Sequence, residues 1–117
     1  ARDVQSHCKE KGLPWEIAKA FDGSAAVSKF FPLETIGKDI QDINFRLDIN
    51  GTTVQSGATK NMLFSVDEII SHVSKYFTLK TGDLIFTGTP AGVGRVERED
   101  LLELFLEDER IFYFNVK

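Results

Sequence analysis

The sequence of 117 residues contains a single cysteine, Cys8, and only three prolines. One cysteine excludes an internal disulfide and is typical of a reducing compartment, which predicts the cytosol. The chain begins at Ala1 without a methionine, so a removed mitochondrial targeting segment stays open as an alternative. No apolar run approaches the roughly 20 residues that a membrane-spanning helix requires. We therefore expect a water-soluble protein.

Positive charge is also scarce, because 14 Lys and Arg residues stand against 18 Asp and Glu residues and give a formal net charge of -4. No run of basic residues could neutralise the phosphates along a nucleic acid, which excludes that partner. The chain is otherwise 42% hydrophobic and contains ten phenylalanines. With no linker or repeat to divide it, this composition predicts one domain with a well-filled apolar core.

Helices are predicted in two places. The first runs from Asp3 to Lys11 and ends at Gly12, a residue that favours the left-handed conformation of a helix C-terminus. The second begins at Ser65 and runs to about Phe77, because Ser65 and Glu68 have the spacing of a capping box. Apolar residues recur along this second helix at helical spacing, which predicts packing on a sheet.

Most of the remaining secondary structure is predicted to be β-strand. Residues 43–50 alternate between apolar and polar side chains, which predicts a strand with one buried face. Asn50-Gly51 follows at once and favours a two-residue hairpin turn, with a return through 52–55. A buried strand is predicted at Leu84–Phe86, and two more at Leu101–Leu106 and Ile111–Val116. Residues 22–41 show no sustained period, which indicates a surface excursion. Taken together, the predicted strands and helices give a β-rich α+β fold.

A loop rich in glycine, Thr87–Gly94, is the most distinctive local feature. Such a loop after a strand can bring backbone amides close to an anion. A nucleotide-binding P-loop would end in Gly-Lys-Ser or Gly-Lys-Thr, whereas this one is followed by Arg95 and Val96, which excludes that motif. The loop is therefore either an ordinary turn or a site of another kind.

Three polar residues near the start of the chain could bind an anionic ligand. Arg2 and Gln5 are three residues apart, so a helix would place them on one face, where they could contact one carboxylate or form a solvated surface. Lys19 lies among apolar residues. Its ammonium could pair with an anion, or its stem could cover apolar surface while the charge reaches water.

Five short segments resemble the fumarylacetoacetate hydrolase family in identity and in order. The closest subgroup is that of the acylpyruvate hydrolases and oxaloacetate decarboxylases, which the Lys-Gly-Leu-Pro-Trp segment particularly resembles. The resemblance covers essentially the whole chain and corresponds to the C-terminal half of such a protein. The segments are Ala1–Gln5, Lys11–Trp15, Ala18–Asp22, Gly82–Gly94 and Phe114–Val116.

The resemblance implies a mixed β-sandwich or roll with a few short helices, incomplete here, with residues 1–117 forming the C-terminal part of one catalytic domain. It implies a homodimer that uses Mg²⁺ or Mn²⁺ to cleave a carbon–carbon bond in an acylpyruvate or related 2-oxo acid. The family's three carboxylate ligands would lie before Ala1, so this piece alone is expected to be inactive and without metal. Glu97 and Glu99 follow the loop and are interpreted as solvated charges.

Carried over by motif, Arg2 and Gln5 would bind the carboxylate and carbonyl end of the substrate. Lys19 would counter the charge of the enolate, as the catalytic residue, and Thr89 would donate a hydrogen bond. His7 and His72 do not correspond to the histidine of the family's N-terminal lid. Two alternatives stay open: isomerisation of a 2-hydroxydienoate, and a non-catalytic module that lacks a metal site.

Overall fold

The computed structural model describes residues 1–117 and consists of one antiparallel sheet with short helices before and between its strands. The helices are α1 Arg2–Lys11, α2 Glu16–Lys19, α3 Leu33–Ile36 and α4 Val66–Val73, with 3-10 turns at Ile40–Asp42 and Thr59–Asn61. The strands are β1 Asn44–Ile49, β2 Thr52–Ala58, β3 Leu101–Leu106 and β4 Glu109–Asn115. These elements confirm the β-rich class and both late strands, whereas the stretch 22–41, predicted as an irregular surface excursion, contains the short helix α3.

The sheet has the order β2-β1-β3-β4, so β2 is an edge strand. The predicted hairpin is confirmed: Ile49 pairs with Thr52 across Asn50 and Gly51, whose φ angles are 50° and 76°. Positive φ at both turn residues matches the right-handed twist of the two strands. The Asn50 side chain also receives a hydrogen bond from the Leu101 amide at 2.9 Å, which connects the turn to β3.

The polar face of β1 departs from the prediction of one buried apolar face. Asp48 is 8% exposed, whereas the apolar residues of the strand are only half-buried. Its carboxylate accepts a hydrogen bond from Thr53 Oγ1 at 2.7 Å and lies 3.4 Å from Arg46 Nε. The Arg46 guanidinium covers the Phe105 ring at 3.6 Å. These partners compensate the burial of a carboxylate, which the alternation of residue types could not show.

Both predicted helices form, with one difference at the end of the second. Helix α1 ends at Lys11, is capped by Gly12 with a φ of 65°, and buries Cys8 completely. The capping box at α4 is complete, and the hydrogen bonds from Ser65 hold the pKa of Glu68 below its ordinary value. The helix stops at Val73, and turns follow in which the Lys75 amide donates to the His72 carbonyl at 3.2 Å and the Tyr76 amide donates to the Val73 carbonyl at 3.0 Å. None of its residues is buried, so the expected packing on the sheet was wrong.

The strand predicted at Leu84–Phe86 is absent. These residues form no backbone hydrogen bond. Their exposed fractions are 48% for Leu84, 37% for Ile85 and 72% for Phe86. A strand requires a neighbouring chain to satisfy its amides and carbonyls. None of the four strands pairs with this segment, so its apolar run has no sheet to join.

The well-filled core was also a wrong prediction, since only five residues are buried. The accessible surface is 9283 Å², whereas a compact monomer of this mass exposes about 6,400 Å². The radius of gyration is 15.9 Å, against about 13 Å expected for this length. Aromatic side chains of the irregular segments, such as Phe30 and Phe86, stand in solvent because no element covers them. The longest helix has ten residues, and none reaches the length and hydropathy of a membrane span.

Candidate active site

One open cleft of about 1200 Å³ contains all four residues that the sequence singled out. Its wall is formed by the start of α1, the end of α2 and the glycine-rich segment, and we call it the cation cleft. The four residues are Arg2, Gln5, Lys19 and Thr89. The structure thus brings together side chains that are up to 87 positions apart in the sequence, while the roles assigned to them stay predictions.

The α1 wall of the cleft is held in place by one backbone hydrogen bond to α2 and by another that closes the C-terminal end of α1 itself. The Ala1 nitrogen donates to the Ala18 carbonyl at 3.0 Å, and the Leu13 amide donates to the Cys8 carbonyl at 2.8 Å. Ala18 and Cys8 are the two most buried residues of the chain. Because α1 is helical from Arg2 onward, Arg2 and Gln5 lie on the same face of α1 and both line the cleft.

Lys19 is the last residue of α2 and is exposed. Its ammonium is therefore not desolvated, although the interpretation as a strong anion partner assumed an apolar setting. The neighbouring apolar residues are themselves open to solvent: Ile17 is 68% and Phe21 46% exposed. Lys19 nevertheless lines the cleft together with Phe21. Its charge is therefore available to an anion, although water screens it.

The opposite wall is the segment Thr87–Gly94, which we call the glycine loop. Gly88 and Gly92 have φ angles of 98° and 96°, a region that other residues rarely adopt. The loop is attached to β2 by the Gln55 side chain, whose Nε2 donates to Thr89 Oγ1 at 3.0 Å and to the Pro90 carbonyl at 3.1 Å. Thr89 thereby lies at the boundary between the cation cleft and a smaller cavity of about 440 Å³.

Positive side chains outnumber carboxylates among the residues that line the cation cleft, which include Arg2, Lys19 and Arg95 but only Asp3 as an acid. Arg95 Nε lies 3.0 Å from Glu97, and its side chain is 84% exposed. The excess of positive side chains favours anions over cations at this surface. A separate cleft of about 670 Å³ along α4 is lined by Asp67 and Glu68 with Lys75, a balance that does not favour an anion.

Three cleft-related residues were missed by sequence reasoning. Arg95 was considered only as a departure from the P-loop pattern, although its position directly after the glycine loop was a usable signal. Ser24 lies in a stretch without periodicity. Gln55 was assigned only to a strand, and nothing in the sequence indicates its contact with a residue 34 positions away.

The residues present do not form a metal site. No group of three or more His, Cys, Asp or Glu side chains is placed so that it could hold a metal ion. Glu97 and Glu99 are confirmed as solvated charges, because each is more than half exposed and each lies beside an arginine. His7 and His72 both lie outside the cation cleft.

The cation cleft thus combines clustered cations with a glycine loop at the edge of the sheet. The family model described as "Fumarylacetoacetate (FAA) hydrolase C-terminal" matches residues 1–111. The chain belongs to the fumarylacetoacetate hydrolase family, as the ordered motifs indicated.

Individual relatives agree with this assignment. The chain is 48% identical over 117 residues to the mouse protein named oxaloacetate tautomerase FAHD1, mitochondrial, and covers all of itself and 52% of that protein. It is similar to a family structure from Yersinia pestis, with 40% identity, a TM-score of 0.92 and coverage of 99% of this chain and 54% of that one. A fumarylpyruvate hydrolase structure from Pseudomonas aeruginosa, in complex with Mn²⁺ and pyruvate, gives 37% identity and a TM-score of 0.87, with coverage of 98% and 49%. The chain spans about half the length of these relatives.

Proposed function

We propose that this chain forms the carboxylate-binding wall of an enzyme that cleaves a carbon–carbon bond in an acylpyruvate or related 2-oxo acid. The observation that carries the proposal is the meeting of Arg2, Gln5, Lys19 and Thr89 in one cleft. The pyruvate in the Pseudomonas aeruginosa complex supports the substrate class, because pyruvate is the smallest common part of these acids.

Each cleft side chain suits one part of a 2-oxo acid. Arg2 can bind the planar carboxylate through two parallel hydrogen bonds, and the Gln5 amide can donate to the adjacent carbonyl oxygen. Lys19 offers a positive charge for the enolate oxygen that develops when the bond breaks. The Thr89 hydroxyl can donate a hydrogen bond from the opposite wall. Together they bind the end of the substrate that all 2-oxo acids share and leave the variable end free.

The Mn²⁺ of the Pseudomonas aeruginosa complex supports a divalent cation in the complete enzyme. The donor set of residues 1–117 does not fit such an ion, because only Asp3 contributes a carboxylate to the cleft. We propose that the ligands come from outside this chain. The part played by residues 1–117 is then to bind and orient the substrate, and the 117-residue chain by itself is expected to have no activity.

A second candidate is tautomerisation, the movement of a proton between the keto and enol forms of oxaloacetate, without bond cleavage. The name of the mouse relative favours it. The two reactions are distinguished by their products, since cleavage of oxaloacetate releases pyruvate and tautomerisation does not. A protein that contains this chain together with the missing ligands would be assayed for pyruvate release and for the loss of enol absorbance.

The binding proposal is tested on the 117-residue chain by nuclear magnetic resonance titration with oxalate, which mimics the enolate of pyruvate. We expect shifts of the Arg2, Gln5, Lys19 and Thr89 signals, and a smaller effect with acetate, which lacks the second pair of oxygens. Arg2→Met should weaken oxalate binding by about tenfold. The matched control Arg98→Met changes an arginine outside the cleft, and equal losses in both variants would contradict the proposal.

We also propose that the protein is a homodimer. The support is the open edge of β4 at one end of the four-stranded sheet, where unpaired backbone groups can pair with those of a second copy. Sedimentation of the purified protein tests this, and a monomer at micromolar concentration would refute it. The mouse relative is named a mitochondrial protein, so the cytosolic prediction made from Cys8 gains no support.

A further inference from the structure

We propose that Gln55 is the positioning residue of the cation cleft: it holds the glycine loop in place and orients the Thr89 hydroxyl as a hydrogen-bond donor to the ligand. The ligand part rests on the proposed function. The positioning part rests on contacts within the chain alone.

The orientation of the Gln55 side chain follows from its partners. Nε2 lies 3.0 Å from Thr89 Oγ1, 3.1 Å from the Pro90 carbonyl oxygen and 3.4 Å from the Ala91 carbonyl oxygen. Carbonyl oxygens can only accept hydrogen bonds, so the amide must turn its NH₂ group toward the loop. Gln55 is half-buried on the edge strand β2, and it reaches outward from the sheet to the loop.

This contact decides what the Thr89 hydroxyl can do. A hydroxyl has one proton to donate and two lone pairs that accept. In Thr89, one lone pair accepts the hydrogen bond from Gln55 Nε2. The proton of Thr89 itself makes no hydrogen bond to any protein acceptor. Since Thr89 lines the cation cleft, that proton is free to bond to an oxygen of the ligand. Gln55 thus favours the hydroxyl orientation that an anionic ligand needs.

Edge strands normally carry a row of unpaired amides and carbonyls. Here the glycine loop covers part of that edge, and Gln55 forms three of the contacts that hold it. Helices α1 and α2 supply Arg2 and Lys19 to the cleft, but the distance between the two walls depends on this attachment. A shift of the loop would move Thr89 away from the cations. A substitution of Gln55 should therefore weaken ligand binding by displacing Thr89.

The test is a double-mutant cycle in the 117-residue chain. Gln55→Met removes the donor at similar length and without charge, and Thr89→Val removes the hydroxyl at equal shape. Oxalate affinity is measured for the wild type, both single variants and the double variant. If Gln55 acts through Thr89, each single change weakens binding by about tenfold and the double variant is no weaker than Thr89→Val alone. Independent, multiplying losses would overturn the proposal.

Two readouts without ligand separate this inference from the proposed function. Thr89→Val must shift the side-chain amide signals of Gln55, and Gln55→Met must shift the backbone amide signals of loop residues 91–94, because the Gln55 side chain contacts the carbonyl groups of Pro90 and Ala91. Gln41→Met is the matched control, because Gln41 accepts from the Val66 amide far from the cleft. If the wild-type chain binds no oxalate but both signals change, the proposed function fails and the positioning role of Gln55 stands. If neither changes, the positioning role is wrong whatever the chain binds.

Discussion

Gly92 lies directly against the backbone of Val54. A Cβ built on Gly92 would stand closer to the Val54 carbonyl oxygen than non-bonded atoms can approach, and it would also make a tight contact of 3.1 Å with Gln55 Cγ. The φ angle of Gly92 is 96°, so both its backbone conformation and its surroundings require glycine. The glycine loop therefore fits on the edge strand at one position where no side chain is possible, beside the Gln55 contact that holds Thr89.

Replacing Gly92 by alanine should detach the loop from β2. Gly88→Ala is the matched control, because Gly88 has a nearly equal φ of 98° but open space around its Cα. Both variants carry the strain of a positive φ, about 1 kcal/mol, whereas only Gly92→Ala adds the clash with Val54. The side-chain amide signals of Gln55 should therefore move toward those of a solvent-exposed glutamine in Gly92→Ala and much less in Gly88→Ala, because detachment of the loop breaks the bonds to Thr89 and Pro90. Equal shifts in the two variants would contradict the tight contact.

Glu107 gives the fold a dependence on acidic pH. Its carboxylate accepts hydrogen bonds from Lys38 Nζ at 2.8 Å and from the Asn44 amide at 2.7 Å, which lowers its pKa from 4.5 to about 2. Because the pKa of Glu107 is lower in the folded than in the unfolded state, the ionised carboxylate stabilises the fold at pH values above about 4.5. This contribution is lost as the pH falls from about 4.5 toward 2. Glu107→Gln should therefore reduce the loss of unfolding free energy over this pH range.

Urea denaturation at a series of pH values measures this effect. Some pH dependence should remain in Glu107→Gln, because hydrogen bonds also lower the pKa values of Glu68 and Asp100. Glu97→Gln serves as the control, since its carboxylate is 64% exposed beside Arg95 and no such network surrounds it. An unchanged pH profile in Glu107→Gln would show that the Lys38 and Asn44 contacts do not stabilise the folded state.

The parts of the fold that the sequence predicted correctly are those determined by neighbouring residues. The turn at Asn50-Gly51 and the capping box of Ser65 and Glu68 depend on residues at most three positions apart. Leu84–Phe86 failed for the opposite reason: an apolar run predicts burial, but its conformation depends on a pairing partner, which a local pattern does not contain.

The candidate site likewise has residues that local motifs identify and residues whose role depends on tertiary contacts. Motif resemblance identified Arg2, Gln5, Lys19 and Thr89, and the fold placed them in one cleft. The same motifs gave no indication of Gln55, because its importance comes from a tertiary contact between the edge strand and the glycine loop. The exposure of Lys19 was equally invisible, since apolar neighbours in the sequence are themselves exposed in the structure.

Asp48 should be a larger contributor to stability than its residue type suggests. Asp48→Ala leaves the Thr53 hydroxyl and the Arg46 guanidinium without their shared acceptor in a region where Asp48 is 8% exposed. We expect a loss of about 1–3 kcal/mol in unfolding free energy, measured by urea denaturation. In a Thr53→Val background the loss should be smaller, because no hydroxyl remains unpaired. A loss below about 0.5 kcal/mol in the wild-type background would mean that water replaces the carboxylate.

The charges of the cation cleft should act on anions in a salt-dependent way. Lys19 is exposed at the end of α2, so its attraction for a ligand is screened over about 8 Å at physiological ionic strength. Lys19→Met should weaken oxalate binding by several-fold at low salt and by less at high salt, because screening already removes part of the attraction in the wild type. Lys80→Met, at an exposed lysine outside the cleft, is the control and should leave both affinities unchanged. A loss that is equal at low and high salt would indicate that Lys19 forms a direct, desolvated contact with the ligand, and would thus contradict the exposed position that the structure gives it.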